Sequence, residues 1–394
     1  MYYHLIPVLD VLAQELRTEK NIACPTCRHR KADVMKFLRH LLFLPTLFLS
    51  CHDTESPPFI KGIYGSPVPL WEKGWTLPEI GVNAIFLHSG SITKDIMDRA
   101  RREGVMVFAE FPTLNGKNYI ESHAEAWPIN AQGEKAEAAS WFMGVCPTEP
   151  NFREYRLAQL RALLREFDLN GVWMDYVHWH AQFEEEEPIL PETCFCDNCL
   201  RSFEQATGID VPAGTTAEQA SWILGNRDRE WRNWRCGVLA EWASHIKDIL
   251  HQERPGALLG MFHCPWTDEE YGRARRRILG IDYDTLRGVV DVFSPMVYHG
   301  RMGKSAEWVR ENIAWFSDRM RIRPGVFPKV WPIVQAYDDP RPISGEEFER
   351  VLLYGRSAAS TGVMMFTSLA VAGDSAKTAV MRKVYKDSLP LMPE

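Results

Sequence analysis

Gly171-Val172-Trp173-Met174-Asp175-Tyr176-Val177-His178-Trp179-His180 is the stretch on which the reading of the fold turns. An apolar run after a glycine reads as a buried strand. It stops at a carboxylate, and an aromatic residue and two histidines follow within five positions. Strands of a parallel barrel are apolar along their length and carry their chemistry at the C-terminal tip. The stretch therefore predicts a buried strand with Asp175 at the mouth of a (β/α)8 barrel.

Working outward, similar runs occur at 59–65, 82–88, 105–111, 257–263, 289–298, 330–337 and 362–367. Helical spacing follows several of them, over 95–102 with a Gly104 stop, 151–166, 238–251 and 307–320. The strands lack two-residue alternation, so the sheet should be parallel and covered on both faces. Eight strands alternating with helices favour a closed (β/α)8 TIM barrel over an open sheet. Long insertions should follow strand three (112–150) and strand four (181–235). No G-x-G-x-x-G follows the first strand, so no nucleotide cofactor is expected.

The chain has 394 residues with a formal net charge of −7, which argues against nucleic acid as a partner. Fourteen tryptophans suit either aromatic platforms for sugar rings or a bulky core. Residues 35–51 combine a basic start, an apolar run and Phe48-Leu49-Ser50-Cys51, the pattern of a lipoprotein signal peptide with Cys51 as the lipidated residue. The expectation is a lipid anchor on the membrane of a bacterial cell envelope, periplasmic or outer-membrane. Met35 is then the true start and 1–34 an upstream extension, in which Cys24-Pro25-Thr26-Cys27 is half of a zinc motif at most. Residues 52–58 form a tether, and 59–390 the barrel domain.

The strand tips supply the candidate site. Tyr64, His88, Tyr176, His178, His180, His263, Trp266, Tyr298, His299, Gln335 and Asp338 offer the aromatic faces and hydrogen-bonding groups that polyols need. Glycoside hydrolysis needs two carboxyl groups, about 5–5.5 Å apart for retention and about 6.5–9.5 Å for inversion. Asp175 is the first, as nucleophile or stabilising carboxylate. Glu110, Asp282 and Glu270 are candidates for the second, although Asp282 also suits a helix N-cap and Glu270 a first helical turn. Glu184-Glu185-Glu186-Glu187 reads as a solvated loop. Cys146, Cys194, Cys196 and Cys199 match the four thiolates of a structural zinc site. Two disulfides among the same four are the competing reading in an oxidising compartment.

Cys146 followed by Cys194-x-Cys196-x2-Cys199 around the fourth strand is similar to the zinc cluster of family 42 β-galactosidases. Those enzymes carry a Glu acid/base after strand four and a Glu nucleophile on strand seven. Asp175 and Gln335 stand at the matching ends here, so that pair is not carried over. Gly171-Val172-Trp173-Met174-Asp175-Tyr176 resembles the fourth strand of α-L-fucosidases, where the resemblance implies an Asp nucleophile. Gly280-Ile281-Asp282-Tyr283 and Asp291-Val292-Phe293-Ser294-Pro295-Met296-Val297-Tyr298 resemble hypothetical glycosyl-hydrolase-like barrels, including the type acting on peptidoglycan glycan strands. The resemblances imply a secreted or lipid-anchored glycoside hydrolase that cleaves an oligo- or polysaccharide with Asp175 and a second carboxylate. A non-catalytic carbohydrate-binding lipoprotein accounts for the missing Glu pair. A metal-dependent hydrolase would instead use His178, His180 and an acid.

Overall fold

The computed structural model describes residues 58–386 apart from Pro324. The signal-like segment 35–51, Cys24 and Cys27 lie outside the described residues. The strands are β1 (Ile60–Tyr64), β2 (Ala84–His88), β3 (Met106–Pro112), β4 (Gly171–Asp175), β5 (Leu258–His263), β6 (Val292–Val297), β7 (Lys329–Val330), β8 (Ile333–Gln335) and β9 (Gly362–Phe366). The main helices are α1 (Lys94–Glu103), α2 (Pro150–Glu166), α3 (Asp197–Thr207), α4 (Thr216–Asn226), α5 (Asp228–Glu253), α6 (Glu307–Met320), α7 (Gly345–Gly355) and α8 (Ser375–Lys386).

Every strand pairing is parallel, and β1 pairs with both β2 and β9, which closes the sheet. The closed sheet is a (β/α)8 barrel, as the eight apolar runs predict. The run at 330–337 is interrupted: β7 and β8 pair with successive parts of β6, with Trp331-Pro332 between them. Pro332 has no N–H to give a ladder. Trp331 still donates its backbone N–H to Phe293, and the Pro332 carbonyl accepts from Met364, so the two short strands act as one stave. The helix expected over 238–251 is α5, which starts earlier, inside the presumed loop 181–235. That loop also contains α3 and α4.

Aromatic rings fill the barrel interior. Phe108 packs on Phe86 with centroids 4.8 Å apart, and Trp173 meets both edge-on at 4.8 and 4.9 Å. Trp331 stacks on Trp173 at 5.3 Å. The buried indole Nε1 of Trp173 donates to Ser294 Oγ at 2.9 Å, which satisfies its one polar atom. Glycines make room for these rings. A Cβ on Gly62 would lie 2.8 Å from Phe86 Cε2, and one on Gly260 would enter the Trp173 indole. Side chains alternate along a strand, so Gly171, Trp173 and Asp175 share the interior face of β4. Asp175 therefore stands one step above the Trp173 layer, at the C-terminal mouth.

Gly260→Ala should destabilise the protein by roughly 1–3 kcal/mol or more through overpacking. Urea unfolding measures this, and an unchanged midpoint would show that Trp173 has room to move.

Candidate active site

The mouth of the barrel holds a cavity of about 180 Å³. Tyr64 from the tip of β1, Tyr298 after β6, Tyr337 after β8 and Phe366 from β9 form one wall. Phe366 packs against Tyr64 at 4.7 Å, Tyr298 at 5.3 Å and Tyr337 at 5.4 Å. Trp141, from the insertion after β3, and Tyr176, following β4, form another. Phe142 stacks on Tyr176 at 5.2 Å, so that insertion folds back on the tip of β4. The polar groups facing the cavity are Asp175, Glu184 and Arg301.

Protein surrounds Asp175 on all sides except the cavity. Its Oδ1 accepts the backbone N–H of Tyr176 at 2.8 Å, and Tyr176 adopts a left-handed backbone with φ of 55°. That bond favours the ionised carboxylate. Burial, and then the nearby Glu110, push the Asp175 carboxyl well above the usual range. Glu184 sits on the loop after β4. Its chain is held by Gln182, whose Oε1 accepts the Glu184 backbone N–H at 2.7 Å. Arg301 Nε donates to the Glu184 carbonyl at 2.6 Å. Burial, then repulsion from Asp175, push the Glu184 carboxyl up to about 8, although Arg301 opposes the shift. The solvated loop expected over 184–187 thus turns its first carboxyl into the cavity.

Glu110 lies beneath Tyr64. Its Oε2 accepts the Tyr64 hydroxyl at 2.8 Å, and its buried Oε1 has no partner among the described residues. Burial pushes it up to about 7 against the opposing effect of the Tyr64 bond. Three carboxyls converge here in a dry aromatic setting, where all three cannot ionise together.

Of the other sequence candidates, Tyr64, Tyr176 and Tyr298 line this cavity, and His88 lines an adjoining groove. The rest are held elsewhere. Asp282 pairs with Arg276 at 3.1 Å and accepts the Asp284 N–H, as an N-cap does. Glu270 accepts the Thr267 N–H at 2.7 Å. Asp338 pairs with Lys377 at 2.8 Å. His299 bonds Glu347 at 2.8 Å, and Gln335 spends its amide on the carbonyls of Tyr337 and Asp339. His263 is buried against Tyr283 and Phe316, and Trp266 is buried between Phe183 and Tyr271. His178 Nδ1 donates to the Trp179 carbonyl at 2.9 Å, and burial lowers its pKa to about 4. His180 has both ring nitrogens engaged: Nδ1 accepts the Gly144 N–H at 3.1 Å, and Nε2 donates to the Glu137 carbonyl at 2.8 Å. A larger hollow of about 470 Å³ lies among Arg232, Arg275, Arg276, Arg319, Asp268, Asp282 and Asp284. Its charges are paired with one another or with Glu192, which marks a structural ion network.

Sequence reasoning passed over Trp141, Glu184, Arg301, Phe262 and Phe366 as site residues. Phe183, buried immediately before the four glutamates, was the available signal that this loop turns inward.

The four cysteines meet. The sulfurs of Cys146, Cys194, Cys196 and Cys199 all lie within 4.8 Å of one another, and Cys146 is 3.5 Å from both Cys196 and Cys199. None forms a disulfide among the described residues. Tetrahedral zinc–thiolate bonds of about 2.3 Å would space sulfurs by about 3.8 Å, so the cluster fits a metal. The thiols also divide their protons unevenly: hydrogen bonds from the other three pull Cys196 down, while Cys146 and Cys199 are pushed well up. A cation is what would let all four ionise together.

No family model matches the chain, and no curated protein matches it in sequence. Its fold is similar to that of the glycoside hydrolase domain of PgaB (BpsB) from Bordetella bronchiseptica, with a TM-score of 0.63 and 13% identity over 83% of this chain and 99% of that one. It is also similar to a β-galactosidase from the psychrophilic Marinomonas ef1, with a TM-score of 0.58 and 10% identity over 83% of this chain and 59% of that one. A Rahnella sp. R3 β-galactosidase gives a TM-score of 0.56 and 14% identity, over 84% of this chain and 56% of that one. The chain spans over half the length of these galactosidases and nearly all of the Bordetella domain.

A carboxyl raised in the folded state contributes stability that is fully present below its unfolded pKa and lost as pH rises through its folded pKa. For Glu184 the window runs from 4.5 to about 8. Glu184→Gln keeps that position neutral, so its melting temperature should gain on the native protein's as pH rises across the window. Differential scanning calorimetry reads the gap, and a gap independent of pH would refute the shift.

Proposed function

We propose that the chain is a glycoside hydrolase that cuts an O-glycosyl bond between Asp175 and Glu184. The observation that carries this reading is the pair of carboxyls facing one aromatic-walled cavity at the C-terminal mouth of a (β/α)8 barrel. Such a pair can hold one proton between its members, since like charges in a dry site do not both ionise. The backbone N–H from Tyr176 favours Asp175 as the ionised member, facing the positive charge that develops at the anomeric carbon. No protein donor reaches the Glu184 carboxyl among the described residues, and burial and the nearby Asp175 raise its pKa. It is the acid that protonates the leaving oxygen. Glu110 acts through Tyr64, whose hydroxyl it holds in the cavity wall. The aromatic faces of Tyr298, Tyr337 and Trp141 suit the apolar faces of sugar rings.

The structural similarity to glycoside hydrolases supports a carbohydrate substrate. The engagement of both His180 nitrogens weighs against a His178–His180 metal site. Zinc at Cys146, Cys194, Cys196 and Cys199 supplies structure, since four thiolates leave no open position for water. The pattern over 35–51 supports secretion and a lipid anchor at Cys51.

Asp175→Asn and Glu184→Gln should each lower turnover of a cleavable glycan by about a hundredfold or more, while circular dichroism shows an intact fold. Near-native rates in both variants would end this assignment. Metal analysis should find one zinc per chain, lost in Cys199→Ser. A strong chelator should lower the melting temperature, and a metal-free protein of native stability would exclude a structural ion.

A further inference from the structure

A groove of about 400 Å³ adjoins the cavity and shares Trp141 with it. It runs past His88 at the tip of β2 and Pro112 at the tip of β3, and Pro112 pairs in register with Asp175. A ligand seated in the cavity would therefore continue into it. Trp141 and Tyr155 present broad apolar faces there, 45% and 44% exposed. Among the described residues the charged side chains lining it are cationic, Arg156 and Lys117, with no Asp or Glu.

Arg156 is the unusual member. Its side chain is half-buried, resting over Phe152 at 5.0 Å and Tyr155 at 5.8 Å. It donates to Gln159 Oε1 at 3.0 Å and to the Asn115 carbonyl at 2.6 Å, and its buried Nε has no partner among the described residues. No carboxylate pairs with it among those residues, whereas the arginines of the large hollow are paired throughout. A guanidinium taken partly out of water normally has an anion beside it. His88 adds a neutral donor: its Nδ1 accepts the Gly90 N–H at 3.1 Å, so its proton sits on Nε2.

We propose that this groove is a subsite for a sugar unit bearing an anionic substituent, a uronic carboxylate or a sulfate ester, held by Arg156 with help from Lys117 and His88. The proposal rests on the glycosidase reading and specifies its substrate class. Arg156 binds the anion through its planar fork, and Trp141 carries the ring between this subsite and the cleavage point.

The test is equilibrium binding to the full chain carrying Asp175→Asn, so that no ligand is consumed. The probes are a glucuronate-containing tetrasaccharide, the same tetrasaccharide with its carboxylates reduced to alcohols, and a neutral tetrasaccharide esterified with sulfate. The acidic probes should bind about tenfold or more tighter than the reduced one. The more tightly bound of the two acidic probes identifies the substituent. Adding Arg156→Gln should erase the preference. Equal affinity for acidic and reduced probes overturns the proposal, as does a preference that survives Arg156→Gln. The comparison of probes on the parent protein decides the matter even if Arg156→Gln fails to fold. A charge preference in a native protein that cleaves no glycan counts against the hydrolase reading alone. Cleavage of neutral glycans without any charge preference counts against the anion subsite alone.

Discussion

The Trp173 indole has to lie inside the barrel, and much of the mouth follows from that. It occupies space that a side chain on β5 would otherwise take, so Gly260 faces it bare. It stacks on Trp331 and meets Phe86 and Phe108 edge-on, closing the interior to solvent. Because side chains alternate on β4, the next inward residue is Asp175, set on a floor of aromatic rings. A carboxylate in that position has little water below it. Its ionisation is then governed by burial first, then by Glu110 and by one backbone N–H from Tyr176.

The same floor explains why the acids differ. Glu110 is inside the wall, with a tyrosine hydroxyl as its one partner among the described residues. Asp175 has a fixed peptide donor on a rigid strand tip. Glu184 comes from a loop, and among the described residues the field of Arg301 is what favours its charge. Three residues of one chemical class thus acquire three environments, and unequal surroundings of this kind push carboxyl pKa values apart.

The barrel was legible in the sequence because parallel strands covered on both faces are largely apolar runs, and eight such runs recur, the seventh interrupted at Pro332. Asp175 was legible for the same reason, as the first carboxylate after such a run. Helix starts were less so: α5 begins ten residues before the expected position, because its first turns alternate arginine and tryptophan without an evident apolar stripe. The carboxyl that joins Asp175 at the cavity was hidden by composition. Glu184 opens a run of four glutamates, and only the tertiary contacts of Phe183, Gln182 and Arg301 distinguish it from its solvated neighbours. Asp282 and Glu270 had equally plausible positions in sequence, but local backbone N–H groups claim their oxygens. The cysteines were legible as a cluster from their spacing, and the structure decided between a shared metal site and disulfides by bringing four free thiols together.

The two insertions, after β3 and β4, supply Trp141 and Glu184, and besides the contacts of Phe142 with Tyr176 and of Arg301 with Glu184 they brace each other. Cys146 of the first meets Cys194, Cys196 and Cys199 of the second, five residues beyond Trp141 and ten or more beyond Glu184. His180 makes the second brace, receiving the Gly144 N–H and donating to the Glu137 carbonyl. Both bonds require the neutral ring with its proton on Nε2, a state that burial favours by lowering the pKa of His180. A histidine at a barrel mouth invites a catalytic reading, but here its two nitrogens are used to set the distance between loops. The chemistry of the second insertion, thiol and imidazole alike, serves the placement of one tryptophan and one glutamate around Asp175.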